Sequence, residues 1–167
     1  DLERCFLLGN FGVQTRQGTF VIMERPSQIL FGDYTRQGLP FYGGNLTYDV
    51  RVQTRAGRGI LEIPAYSGAL VTVSVDGRGP EAAFAEPCQA DLGYLEEGEH
   101  RLQITVYGNR YNTFGQFHNC DRREGYWGPK TWRTEGRAWT YGYLLRPMGV
   151  LAEPILHVGI GEDLEKT

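Results

Sequence analysis

The residues with the most chemistry to offer crowd into one stretch. Between Val106 and Pro147 lie all three tryptophans, Trp127, Trp132 and Trp139, and five of the ten tyrosines, Tyr107, Tyr111, Tyr126, Tyr141 and Tyr143. Aromatic side chains combine a large apolar surface with a polar tip, so a loop rich in them must pack against something or bind something. A sugar ring presents C–H faces that lie against aromatic rings and hydroxyls that need fixed donors and acceptors. Tyr126, Trp127 and Trp132, with Trp139 beside them, supply rings. His118, Asp121 and Arg133, with Arg122, supply polar partners, and together they make an adequate kit for a shallow carbohydrate site. The competing reading is structural. On a strand, Trp139, Tyr141 and Tyr143 would belong to the core or cover a sheet face, while Trp127 and Trp132 would pack the loop or dock on another domain.

Hydrolytic chemistry has weaker support. A glycosidase needs two carboxylates roughly 5–10 Å apart across a cleft, one with a raised pKa. Asp121, Glu124 and Glu135 sit in this loop, but among Arg122, Arg123 and Arg133, where surface ion pairs are the simpler explanation. His118 and Cys120, two residues apart, do not make a nucleophile–base pair. The chain has no Gly-Lys-Ser/Thr phosphate loop, no His-Glu-x-x-His helix and no dinucleotide fingerprint.

The rest of the composition bounds the partners. At 167 residues one domain is the default, and its core needs no staples. A formal net charge of -3 gives no electrostatic footprint for nucleic acid or an anionic membrane, and no apolar run reaches the ~20 residues of a membrane helix. Cys5, Cys88 and Cys120 are an odd number at spacings that match no zinc site. Cys88 and Cys120 could pair in an oxidising compartment, but three free thiols are expected. A chain opening on Asp1 without a Met or leader reads as a piece of a longer polypeptide or a processed product.

These residues must be positioned by strands. Leu2–Val13 reads as a buried strand interrupted at Gly9-Asn10, and Arg16-Gln17-Gly18 as a hairpin turn into Thr19–Glu24. Leu46, Tyr48, Val50 and Val52 alternate with Thr47, Asp49, Arg51 and Gln53, the clearest half-buried strand in the chain. Asn45-Leu46-Thr47 is formally an N-glycosylation acceptor and reads more simply as the start of that strand. Ile60–Ile63, Ala69–Asp76 with an Asp76-Gly77 turn, a short strand near Glu81–Ala85, and a strand through Leu102, Ile104 and Val106 follow. Ala138–Leu145 and Pro154–Val158 complete the set. Helix candidates are limited to single turns near Gly93–Glu96 and within 109–124. Eight or more strands without crossover helices predict an all-β, jelly-roll-like sandwich over 1–158, with 159–167 as a frayed tail or linker.

Three segments carry a family resemblance. They are Gly38-Leu39-Pro40-Phe41-Tyr42-Gly43-Gly44-Asn45-Leu46-Thr47-Tyr48, then Ser67-Gly68-Ala69 through Val75-Asp76-Gly77, then Asp91-Leu92 through Leu95-Glu96-Glu97-Gly98-Glu99-His100-Arg101-Leu102. In order and spacing they resemble the sugar-binding, galactose-binding-like jelly-roll domain of glycoside hydrolase family 2 and related glycosidases, over most of residues 38–150. Asp76 and His100 stand where that family usually has Asn. Asn109 to Gly115, Trp127-Gly128-Pro129 and Leu144 to Val150 are similar to the segments that follow.

The resemblance implies a non-catalytic β-sandwich accessory module, attached to a catalytic domain not contained in this chain. The expected function is therefore carbohydrate binding within a larger glycoside hydrolase, at His118, Asp121, Tyr126, Trp127, Trp132 and Arg133. The alternative is a structural domain whose aromatic loop docks on a neighbouring domain or subunit without sugar. A fold of this kind does not by itself establish sugar binding. Sandwich modules often hold a structural calcium ion, but no residues localise one here, and no cofactor is expected.

Overall fold

The computed structural model describes residues 6–16, 19–116, 118–121, 128–132 and 135–159. Its strands are β1 (Gly12–Arg16), β2 (Thr19–Met23), β3 (Leu46–Thr54), β4 (Gly57–Glu62), β5 (Tyr66–Ser67), β6 (Leu70–Val75), β7 (Arg78–Ala82), β8 (Gln89–Leu95), β9 (Gly98–Tyr107), β10 (Gly149–Val150) and β11 (Ile155–Gly159). One helical turn, α1 (Tyr111–Phe114), follows β9. The main sheets are antiparallel, in the orders β3-β9-β6-β7 and β11-β4-β8, with β10-β5 and β1-β2 as two-stranded pairs. The chain passes repeatedly from one main sheet to the other, and the expected all-β sandwich is what forms.

Period-two patterning explains why. In β9, His100, Leu102, Ile104 and Val106 are buried while Glu99 and Arg101 are exposed, and β3 pairs with it in register from Leu46↔Val106 to Thr54↔Gly98. On the other side of β9, Val71, Val73 and Val75 of β6 turn the same face inward. Leu61, Ala90, Leu92 and Leu95 from β4 and β8 close the opposite layer, and all join one core cluster. Each fully buried aliphatic side chain contributes about 1.5–3 kcal/mol. At the β6–β7 turn, Asp76 and Gly77 both have positive φ (50° and 75°), as a tight two-residue hairpin requires.

Three expectations need correction. First, the buried strand expected over Leu2–Val13 does not form across residues 6–11, and Leu2 to Cys5 lie outside the described residues. Phe6, Leu7 and Leu8 are exposed outside any strand, and among the described residues pairing begins at Gly12, opposite Met23. Second, 93–96 is no helical turn, since Gln89–Leu95 is a strand. Gly59 faces Gly93 and Ile60 faces Asp91, so Leu92 is an extra residue on β8. The bulge puts both Leu92 and Leu95 inward, three residues apart, a spacing that mimics a helix. Gly93 takes φ +70° there, and across from it a Cβ on Gly59 would come within 2.6 Å of Leu95 Cδ1. Third, Ala138–Leu145 is not a strand. Among the described residues its ladder pairing is a single bridge, Asn119↔Trp139.

The ring-bearing segment is tied to the sandwich at both ends. On the far side, Gly32 donates to the Val150 carbonyl and Tyr34 to that of Met148, while Asp33 Oδ1 accepts from Met148 N at 3.1 Å. Tyr34 is buried and donates to the Tyr42 carbonyl; burial, chiefly, pushes its hydroxyl up to about 12. On the near side, Asn112 in α1 is 2% exposed, and its amide donates to Arg146 O at 2.8 Å while accepting from Arg146 N at 2.9 Å. The Arg146 guanidinium lies 3.9 Å over the Tyr111 ring.

Candidate functional site

Above that double tie, the chain folds back on itself. Cys120 N donates to Ala138 O and Thr140 N to His118 O, so residues 118–120 and 138–140 run side by side. His118 Nδ1 lies 3.0 Å from Thr140 O, an acceptor, which fixes Nδ1 as the donor. The two arms carry one ring each, His118 and Trp139.

Their rings form a continuous belt. Tyr141 packs edge-on to Trp139 at 4.3 Å between centroids, Trp139 lies 5.9 Å from His118, and His118 lies 4.6 Å from Tyr143. Tyr143 then meets Phe20 of β2 at 4.8 Å and Phe41 at 5.5 Å. One end is therefore anchored on the β1–β2 hairpin. The other ends in solvent, with Tyr141 87% exposed. A groove of about 750 Å³ runs beside the anchored half, lined by Phe6, Phe11, Phe20, Phe41, His118 and Tyr143.

Of the residues expected to bind, His118 sits in the middle of the belt, half-buried. Trp132 is 48% exposed and follows a 3₁₀ turn over Pro129–Thr131 that Thr131 Oγ1 secures by donating to Gly128 O at 2.6 Å. Asp121 is half-buried just beyond the paired arms, its N–H held by Asn119 Oδ1 at 2.9 Å. Tyr126, Trp127 and Arg133 lie outside the described residues, as does Glu124. Trp139 is half-buried and Tyr143 41% exposed, so neither is a core residue. Sequence reasoning missed Phe20, Phe41 and Tyr143 as parts of one belt. Their partnership joins three distant stretches, and only the β2 hairpin's position against the rim brings them together.

Neutral and aromatic groups dominate, with hydroxyl and imidazole tips. Cys88 and Cys120 are free thiols, so the pairing considered for them does not form. Among the described residues, no three of His, Cys, Asp and Glu stand together as a metal ion would need, and no helix is long and apolar enough to cross a membrane.

No protein-family model matches the chain, and no curated protein is significantly similar to it. Over 93% of its length it superposes on part of a rhamnosidase from Novosphingobium sp. PP1Y, with a TM-score of 0.53 and 20% identity. A family 2 β-galacturonidase from Eisenbergiella tayi, solved with galacturonate, matches 64% of the chain at a TM-score of 0.38 and 23% identity. The chain spans 16% of the length of the rhamnosidase and 18% of that of the galacturonidase. What this chain has in common with the rhamnosidase is a sandwich fold.

Proposed function

We propose that this chain is a non-catalytic β-sandwich module of a larger glycoside hydrolase and that its aromatic rim meets carbohydrate. The observation that carries the reading is the belt itself: rings anchored at Phe20 and Phe41 that emerge into solvent at Tyr141, with Trp132 exposed on the same loop. Rigid rings with few rotatable bonds, flanked by His118 and Asp121, suit the C–H faces and hydroxyls of a sugar. Tyr126, Trp127 and Arg133 would complete the site. The sandwich fold, common to this chain and one-sixth or so of a rhamnosidase, supports a place within a longer glycosidase. The catalytic carboxylates would then belong to another part of that polypeptide.

Calorimetric titration with rhamnosides, galactosides and galacturonides tests this. Binding should weaken at least tenfold, about 1.4 kcal/mol, in Trp132→Ala with folding intact. Turnover of a chromogenic glycoside that disappears in Asp121→Asn would show the chain to be a hydrolase in its own right and end the non-catalytic reading. A second reading has its own support. Phe6, Leu7 and Leu8 are 53%, 69% and 84% exposed beside the groove, an apolar face of the kind that docks on a neighbouring domain. Docking without sugar would leave every glycan titration flat.

A further inference from the structure

At the opposite kind of site, far from the rings in chemistry, one histidine joins two turns. His100 of β9 is 9% exposed, with Nδ1 at 2.6 Å from Asp76 Oδ2 and Nε2 at 2.9 Å from the backbone carbonyl of Glu96. Asp76 is the positive-φ residue of the β6–β7 turn, and Glu96 opens the connection between β8 and β9. A carbonyl oxygen can only accept, and an ionised carboxylate can only accept, so both ring nitrogens must donate. A neutral imidazole carries one N–H. We infer that His100 is held as an imidazolium and acts as a pH-sensitive clasp, which fastens the β6–β7 turn to the β8–β9 turn and releases as the ring loses its proton.

The surroundings favour the charged pair. Asp76 Oδ1 also accepts from the Arg101 N–H at 2.9 Å, so its carboxylate is fixed from two sides. The hydrogen bond to Asp76, with that to Glu96 O, holds the imidazole above its ordinary range, and the reciprocal bond holds the Asp76 carboxyl below its own. From the β6–β7 side the other nearby charge is Arg78, which opposes the imidazolium. The β8–β9 connection brings Glu96 and Glu97, and Thr54 Oγ1 of β3 donates to the same Glu96 carbonyl at 3.1 Å. Across the ladder His100 faces Val52, an uncharged residue. Its β9 neighbours Glu99 and Arg101 point to the exposed face, where they pair with Arg51 and Asp49.

The sign follows from linkage. A histidine whose pKa is higher folded than unfolded contributes stability that is fully present below the unfolded value, ordinarily 6.5, and lost as pH rises through the folded one. Asp76, with its pKa lowered by folding, contributes above its ordinary 3.8, and that contribution is lost as pH falls through the depressed value. The clasp is therefore tightest in mildly acidic solution and opens on the alkaline side.

Nitrogen-15 NMR of the three histidines across pH 5–9, on the protein and on Asp76→Asn, provides the test. His100 should show two protonated-type nitrogens at neutral pH and titrate above the ordinary histidine value of 6.5, and Asp76→Asn should bring it down to or below that value. Urea unfolding over the same range should show the folding constant of the native protein, relative to His100→Asn, falling about tenfold for each unit by which the folded pKa exceeds the unfolded one. A neutral His100 with one unprotonated nitrogen at pH 6 would overturn the inference, as would pH–stability profiles that run parallel in native and His100→Asn proteins. The spectra of the native protein decide the matter even if a variant fails to fold.

Discussion

Two regions of this molecule are built from similar residues and come out unlike each other. In the β3–β9 pair, nine cross-strand partners from Leu46↔Val106 to Thr54↔Gly98 fix the register, and every second side chain is driven into a shared core. In the rim, Trp139, Tyr141 and Tyr143 also alternate along the chain, yet one bridge at Trp139 is the ladder pairing among the described residues. The first region spends its apolar residues on burial. The second leaves them half out, stacked on one another and on the β1–β2 hairpin. Alternation thus makes a strand only where a neighbouring edge and an opposing layer receive it. Where they do not, the same pattern makes a surface, and a surface of ordered rings is suited to recognition.

That contrast can be attacked first where it is strongest. Ile104→Ala removes a core side chain that is 1% exposed, and should cost about 2–5 kcal/mol in urea unfolding. If the unfolding midpoint scarcely moves, the β9 face is not the core described here. Next comes the joint between the regions. Asn112→Ala deletes both hydrogen bonds to Arg146 and should cost about 1–3 kcal/mol, with the larger change in the rim's amide exchange. Uniform loss of protection across the sandwich would mean that rim and core are one cooperative unit.

Smaller still is the surface of the sandwich. Arg58 and Asp91, on β4 and β8, form an ion pair at 2.6 Å with both side chains about half exposed. A double-mutant cycle should give a coupling of about 0–1 kcal/mol, reduced by salt. A coupling several times larger would make that sheet's stability electrostatic rather than apolar.

Much of the first region was legible in the sequence. Leu46, Tyr48, Val50 and Val52, then Leu102, Ile104 and Val106, announce half-buried strands, and Asp76-Gly77 announces the hairpin between β6 and β7. Strand β8 was not, because a single bulge residue at Leu92 shifts the alternation and leaves Leu92 and Leu95 at helical spacing. The rim was legible in content and not in form. Its concentration of rings was plain, and the one-turn helix within it is found at Tyr111–Phe114. Its assembly depends on Phe20 and Phe41, each more than a hundred residues before the Tyr143 ring they meet, and no local pattern encodes such contacts. The His100 clasp was equally hidden, since its two acceptors come from separate turns.

The account rests on the rim being where carbohydrate is met. The most direct measurement is an NMR titration of the chain with the glycosides named above, following the indole N–H signals of Trp127, Trp132 and Trp139 together with the backbone amides of β3 and β9. The account predicts saturable shifts at the indoles and in residues 118–121, with the strand amides unmoved. Shifts centred on the sandwich strands, or no shift with any glycoside at millimolar concentration, would contradict it.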